Sequence, residues 1–159
     1  MRWWIFDRSF QRHAIFGRLM LRREWKIVSD ISTIEPLVAE VVDACLHAGV
    51  SARACRLNVS VALTEALSNA IVCGNHCDAA KLVRASMALD STSLTLEVTD
   101  EGAGFDAANV MYSPNDTDWL EREEGRGLFL MRALMDRVEL HKPNAERSGH
   151  TVRLVLHRA

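Results

Sequence analysis

The sequence predicts a compact α/β domain, and three observations predict it. Two segments, "STIEPLVAEVVDACLHAGV" and the stretch from Ser51 to Gly74, repeat apolar residues at helical spacing. Shorter segments, best seen in "SLTLEVTD", alternate apolar and polar residues with period two, as strands with one buried face do. A chain of 159 residues, 48% apolar, fits one domain with a real core and leaves no room for a second large one.

The elements follow in order. Residues 1–22, "MRWWIFDRSFQRHAIFGRLMLR", interleave aromatic and aliphatic side chains with arginines and hold one acid, Asp7. They read as an extension separate from a domain over 23–159. It is either an amphipathic helix gripping a membrane surface or a partner, or a disordered tail. "EWKIVSD" is a short first strand. Ser32 or Thr33 can cap the next helix, Pro36 is tolerated in its first turn, and Ile34, Leu37, Val38, Val41 and Cys45 form its apolar stripe before Gly49 ends it. The second helix carries Cys55, Val59, Ala62, Leu63, Ala66, Leu67, Ala70 and Ile71 on its buried side and stops at Gly74. "KLVRASMALD" and "SLTLEVTD" form a hairpin turning at Ser91 and Thr92. A weakly periodic stretch, Asp106 to Glu124, has the length of a lid or binding loop. "GRGLFLMRALMD" restarts a helix, and "RVELHK" and "HTVRLVLHR" supply the last strands.

Composition narrows the function. A net charge of −2 gives no basic field for direct nucleic-acid binding. No run of about 18 apolar residues suggests a transmembrane segment. The four cysteines, Cys45, Cys55, Cys73 and Cys77, are too sparse for a secreted disulfide framework and point to a reducing cytoplasm. Cys73, His76 and Cys77 lack a fourth ligand and the usual zinc spacing, so a core residue and a loop explain them better.

Three dispersed elements carry chemistry. In "EALSNA", Glu65 and Asn69 stand four apart on one helix, outside its apolar arc, so the carboxylate and the amide are neighbours. That pair suits a general base beside a magnesium ligand, and a plain solvated face also accounts for it. In "DEGAGF", Asp100 ends a strand on the same side as Leu94, Leu96 and Val98. A buried acid there needs a donor, such as the amino group of adenine, and Gly102 and Gly104 let the backbone pass close to a base and sugar. The other reading is a strand-end turn with a solvated acid. In "GRGL", Gly125 to Leu128, main-chain N–H groups at a helix start attract anions, and glycines let them wrap phosphate.

Taken together, Glu-x-x-x-Asn on a helix, Asp-x-Gly-x-Gly at a strand end and a lid closed by Gly-x-Gly-Leu resemble the GHKL superfamily, which includes gyrase, histidine kinases and MutL. The resemblance spans about Glu24 to Arg158. Within the superfamily, "TEALSNAIVCGN" and "GRGLFLMRALMDRVEL" look most like the RsbW and SpoIIAB group of anti-sigma-factor serine kinases. It implies the Bergerat fold, a mixed and mostly antiparallel sheet covered on one face by helices, with an ATP lid. It implies ATP and magnesium as cofactors. Asn69 would coordinate the metal, Glu65 would polarise the attacking hydroxyl, Asp100 would bind adenine, and Gly102 and Gly104 would line the pocket. Gly125, Arg126, Gly127 and Leu128 would hold phosphates, and Thr151 would lie near the base or the phosphates. Asn75 either approaches the nucleotide or terminates a helix. Many relatives read His-Gly where this chain has Cys73-Gly74, which leaves nucleotide binding expected and kinase efficiency open.

The function so implied is a cytoplasmic ATP-dependent protein-serine kinase of a partner-switching system. It would phosphorylate an anti-sigma-factor antagonist of the STAS type and bind a sigma factor, as a possible homodimer. Two alternatives differ in class. A nucleotide-gated binding module would keep the site without turnover, against which the presence of Glu65 argues. A detached histidine-kinase catalytic domain would need a phospho-accepting histidine, and neither His13 nor His47 has that context.

Overall fold

In a computed structural model, which describes residues 11–15, 18–102, 123–143 and 149–158, the alternating segments pair into one sheet. Its six described strands are β1 (Gln11–Ile15), β2 (Arg18–Val28), β3 (Leu82–Leu89), β4 (Ser93–Thr99), β5 (Arg137–His141) and β6 (Thr151–His157). Their order is β1-β2-β3-β4-β6-β5, and every pairing is antiparallel. The pleat sends alternate side chains inward, so Trp25, Ala85 and Val98 lie in one cross-strand row and Met87, Leu96 and Leu154 in another, all buried. The opposite face is charged. Arg153 lies 3.5 Å from Glu97 and 3.9 Å from Glu139, exposed contacts that add little stability.

The boundary expected at residue 22 falls inside β2, and residues 11–15 and 18–22 form strands, not an amphipathic helix. Trp25 and Ile27 point into the core, with Leu21 packed on its edge, while Arg22, Glu24 and Lys26 face out. This period of two extends "EWKIVSD" backwards, and the three adjacent apolar residues in "LMLR" obscure it.

Helix α1 (Ile34–His47) buries Ile34, Leu37, Val38, Val41 and Cys45, the expected stripe, together with Ala44. Its approach is capped by Asp30, not by Ser32 or Thr33. The Asp30 carboxylate accepts from Ser32 N at 2.8 Å and the Thr33 hydroxyl donates to Asp30 O at 2.6 Å. Gly49, at φ +81°, ends the segment in the left-handed region that glycine occupies without strain. Helix α2 (Ala54–Gly74) is entered through Ser51, whose hydroxyl accepts from Ala54 N at 3.2 Å. All eight residues expected on its inner side are buried. By length and composition α2 would pass as a membrane span, yet its apolar arc is the floor of this core. The helix is regular over Ser60–Ser68 and widens into π-type turns over Ala54–Val59 and Asn69–Gly74. Helix α3 (Glu123–Leu134) packs on α2, with Leu128 and Met131 turned into the core.

Asn75 ties the end of α2 to three strand ends. Fully buried, its amide donates to Ser29 Oγ at 2.7 Å and to Leu82 O at 3.1 Å, and its oxygen accepts from Glu101 N at 2.8 Å. Both amide hydrogens are used, so Asn75 is a clasp and not a nucleotide contact. Leaving those groups unmatched costs about 1–3 kcal/mol each before relaxation, so Asn75→Ala is expected to lower unfolding free energy by about 2–4 kcal/mol in urea titration. A loss under about 0.5 kcal/mol would refute the clasp.

Candidate functional site

Two clusters of polar and glycine residues lie along α2. In the first, the regular turn of α2 stacks Glu65 and Asn69 on one face, both half-buried, and α3 crosses directly over them. A Cβ on Gly127 would lie 2.7 Å from Glu65 Oε2 and 3.5 Å from Asn69 Nδ2. Glycine therefore lets the α3 backbone approach the carboxylate more closely than any other residue would.

The "GRG" glycines do not precede the helix as expected. α3 begins at Glu123, so Gly125, Arg126 and Gly127 lie within its first two turns. The first four N–H groups of an α-helix have no intrahelical acceptor, which here reaches from Glu123 to Arg126. Gly125 and Arg126 thus lie at the positive end of the helix dipole, where an anion is favoured. Arg126 is exposed, whereas the Leu128 side chain is 5% exposed and anchors the helix in the core, leaving only its main chain for a ligand.

The second cluster surrounds Asp100, one residue beyond β4. The ladder continues past the strand, with Asp100 N donating to His150 O at 3.0 Å. The inward face of β4 carries on from Leu94, Leu96 and Val98 to Asp100, which is 6% exposed. One carboxylate oxygen, Oδ1, accepts from Gly102 N at 2.9 Å. Burial pushes the Asp100 carboxyl up, opposed by the hydrogen bonds from Gly102 and His150 and by the charges of His150 and Lys81. Three glycines crowd it. A Cβ on Gly74 would sit 2.6 Å from Asp100 Oδ2, one on Gly102 would sit 1.8 Å from Gly74 O, and one on Gly149 would sit 1.8 Å from Asp100 O. Gly149 is also at φ +93°. The pocket floor is thus main chain pressed on main chain, which no side chain fits. Beside it, His150 Nδ1 is buried without a hydrogen-bond partner among the described residues.

The two clusters share α2. From Asn69 to Gly74 the helix advances only ~7 Å, so Glu65 and Asn69 stand within a turn and a half of the glycine that touches Asp100. Thr151 opens β6 beside it, 3% exposed, with its hydroxyl 2.8 Å from that of Thr99. Gly104 and the stretch 103–122 lie outside the described residues. The contacts of Gly74 and Gly149 with Asp100 were not anticipated. Gly74 reads as a helix stop and Gly149 as a turn before the last strand, and neither role discloses a distant partner.

Comparison with known proteins bears on this geometry. A family described as histidine kinase-like ATPase domain matches residues 27–156. The anti-sigma F factors of two Clostridium perfringens strains, SM101 and 13, are 30% identical over 114 residues, covering 70% of this chain and 69% of theirs. The anti-sigma F factor of Anoxybacillus flavithermus is 29% identical over 100 residues, covering 62% of this chain and 67% of its own. With Glu65, Asn69, Asp100 and the α3 glycines set along one helix of a helix-covered antiparallel sheet, the chain belongs to the histidine kinase-like ATPase domain family.

Proposed function

We propose that the cleft binds ATP with magnesium and that the protein, acting in the cytoplasm, transfers phosphate to a serine of a STAS-type antagonist and holds a sigma factor when that antagonist is absent. The observation that carries the reading is the approach of the α3 backbone to Glu65. It sets a carboxylate and an amide side by side against the glycine-bearing start of a helix, a pairing that a merely structural helix crossing has no need of. The relatives named anti-sigma F factor support the sigma-factor partner.

The residues fit the group. Asp100 is an almost buried carboxylate that accepts one hydrogen bond at Oδ1, and the exocyclic amine of adenine is a donor of the kind such an acid needs. Gly74, Gly102 and Gly149 keep side chains away from it, so a planar base can lie against main chain. Asn69 offers a neutral amide oxygen of the type magnesium accepts beside phosphates and water, and the ion supplies neutralisation of phosphate charge when bound. Gly125, Arg126 and Gly127 set the positive end of α3 toward the phosphates. Glu65 receives the proton of the incoming serine hydroxyl, raising the electron density on its oxygen as it attacks in line.

Calorimetry of the full chain with ATP is expected to give saturable uptake that weakens when magnesium is chelated. Incubation with labelled ATP and an antagonist is expected to give acid-stable phosphoserine. No uptake by folded protein removes the whole reading. Uptake without transfer leaves a nucleotide-gated binding module, and acid-labile phosphate indicates histidine transfer.

A further inference from the structure

One buried polar atom beside Asp100 has no role so far, Nδ1 of His150. The register of the sheet fixes where it lies. β4 and β6 pair Val98 with Val152 and Thr99 with Thr151, so the next pair along the ladder is Asp100 with His150, and the bond from Asp100 N to His150 O at 3.0 Å continues it. Residues directly opposite in an antiparallel pair share a face, with Cβ atoms about 4.5–5.5 Å apart. His150 therefore stands beside Asp100 on the inward face, in the layer that Leu94, Leu96 and Val98 occupy. Thr151 turns the other way, and its hydroxyl meets that of Thr99 at 2.8 Å on the opposite face of the sheet.

The backbone holds His150 in place. Gly149, at φ +93°, makes the bend before it, and Asp100 O fills the space of the missing Cβ there. Buried polar atoms are nearly always hydrogen-bonded, because an unmatched one forfeits its hydration with nothing in return. Asp100 does not relieve the imidazole. Its Oδ1 accepts from Gly102 N, and among the described residues no hydrogen bond reaches Oδ2 or joins the carboxylate to His150. An unspent carboxylate oxygen and an unspent ring nitrogen thus stand side by side over main chain too tightly packed to carry side chains.

We propose, resting on the nucleotide reading of this pocket, that His150 is a second specificity-determining residue for the base. It donates from Nδ1–H to a ring nitrogen that flanks the exocyclic amine, while Asp100 accepts from the amine itself. The imidazole takes the tautomer that carries its proton at Nδ1. A 6-aminopurine offers a donor and an acceptor next to each other on one edge, and the Asp100–His150 pair offers the complement, acceptor beside donor. Asp100 alone requires only an amine. The pair also requires an unprotonated nitrogen next to it. A 6-oxo purine sets a carbonyl against the carboxylate and, on its Watson–Crick edge, an N–H against the N–H of His150, so both residues are left unmatched.

Calorimetric titration of the full chain with ATP, 1-deaza-ATP and 7-deaza-ATP tests this contact. Replacing the contacted ring nitrogen by C–H is expected to weaken wild-type binding by about 5- to 100-fold, while the other deaza analogue binds like ATP. His150→Leu is expected to weaken ATP binding by a similar factor and to bind all three nucleotides alike, since the donor to that nitrogen is gone. His150→Asn, whose side-chain amide reaches close to the place of Nδ1, is expected to recover most of the ATP affinity. Every variant keeps the main-chain carbonyl that accepts from Asp100 N. A merely structural role would instead lower the melting temperature of His150→Leu and leave its deaza penalty in place. That penalty persisting, wild-type affinities equal for the three nucleotides, or His150→Leu binding ATP as tightly as the wild type overturns the proposal and leaves ATP uptake standing. No ATP uptake by folded wild type removes both the contact and the nucleotide reading beneath it.

Discussion

Replacing Glu65 by glutamine is expected to slow phosphate transfer by about 10²–10⁴-fold, the usual contribution of a positioned general base, while ATP affinity changes by less than about tenfold. Glutamine keeps the length and shape that contact Gly127, and it keeps an oxygen for local hydrogen bonding, so the α2–α3 crossing should stand. What it cannot do is take a proton. Single-turnover transfer from labelled ATP, with calorimetry on the same preparation, separates the two effects. An unchanged transfer rate would remove Glu65 from the chemistry. Equal losses of rate and affinity would instead make it a residue that positions nucleotide. Gly127→Ala is a weaker probe of the same contact, because the far end of a flexible glutamate can swing aside to admit a methyl group.

Much of this cleft was legible because its parts obey local rules. The i, i+4 relation of Glu65 and Asn69 needs only a helical turn, and Asn69, in the right-handed helical region just past Ser60–Ser68, donates its N–H to Glu65 O. The inward direction of Asp100 needs only the pleat of β4, which buries Leu94, Leu96 and Val98 to 1% exposure or less. What stayed hidden depends on contacts between distant segments. Gly149 matters because Asp100 O occupies the space of its missing Cβ, and nothing near residue 149 announces this. Asn75 follows a helix-stopping glycine and reads as turn chemistry, yet its partners are Ser29, Leu82 and Glu101. The start of α3 is masked for a simpler reason. Two glycines in three residues suggest a loop, but packing of Leu128 and Met131 into the core outweighs about 1 kcal/mol of helix propensity lost at each glycine. The start of β2 is hard to read because Leu19-Met20-Leu21 and Arg22-Arg23 interrupt the alternation that Trp25 and Ile27 show further on.

Asp100→Asn is expected to divide binding from stability in opposite directions. Asparagine can keep its Oδ1 as the acceptor from Gly102 N, so the turn should survive. Its other terminal atom becomes an NH₂ group, which faces the amine of adenine as donor to donor. A site built around one polar complement rejects the mismatched partner strongly, and ATP affinity should fall by about 100-fold or more. The unliganded protein should respond the other way. Burial raises the Asp100 carboxyl above its ordinary value, so the folded state holds its proton more tightly than the unfolded chain does. Stability from this group is therefore full below the ordinary carboxylate range and is lost as pH rises through the raised folded value. Asparagine has no proton to lose. The variant should melt higher than the wild type at neutral pH, and the difference should shrink toward zero as the pH falls into the carboxylate range. Thermal melts across that pH range without nucleotide, paired with ATP titrations at neutral pH, read both arms. Retained affinity would end the adenine assignment. A lower melting temperature at neutral pH would mean that attraction of the carboxylate to His150 and Lys81 exceeds the cost of burying it, and the pocket would then be a salt-bridged strand end and not a site held open for a donor.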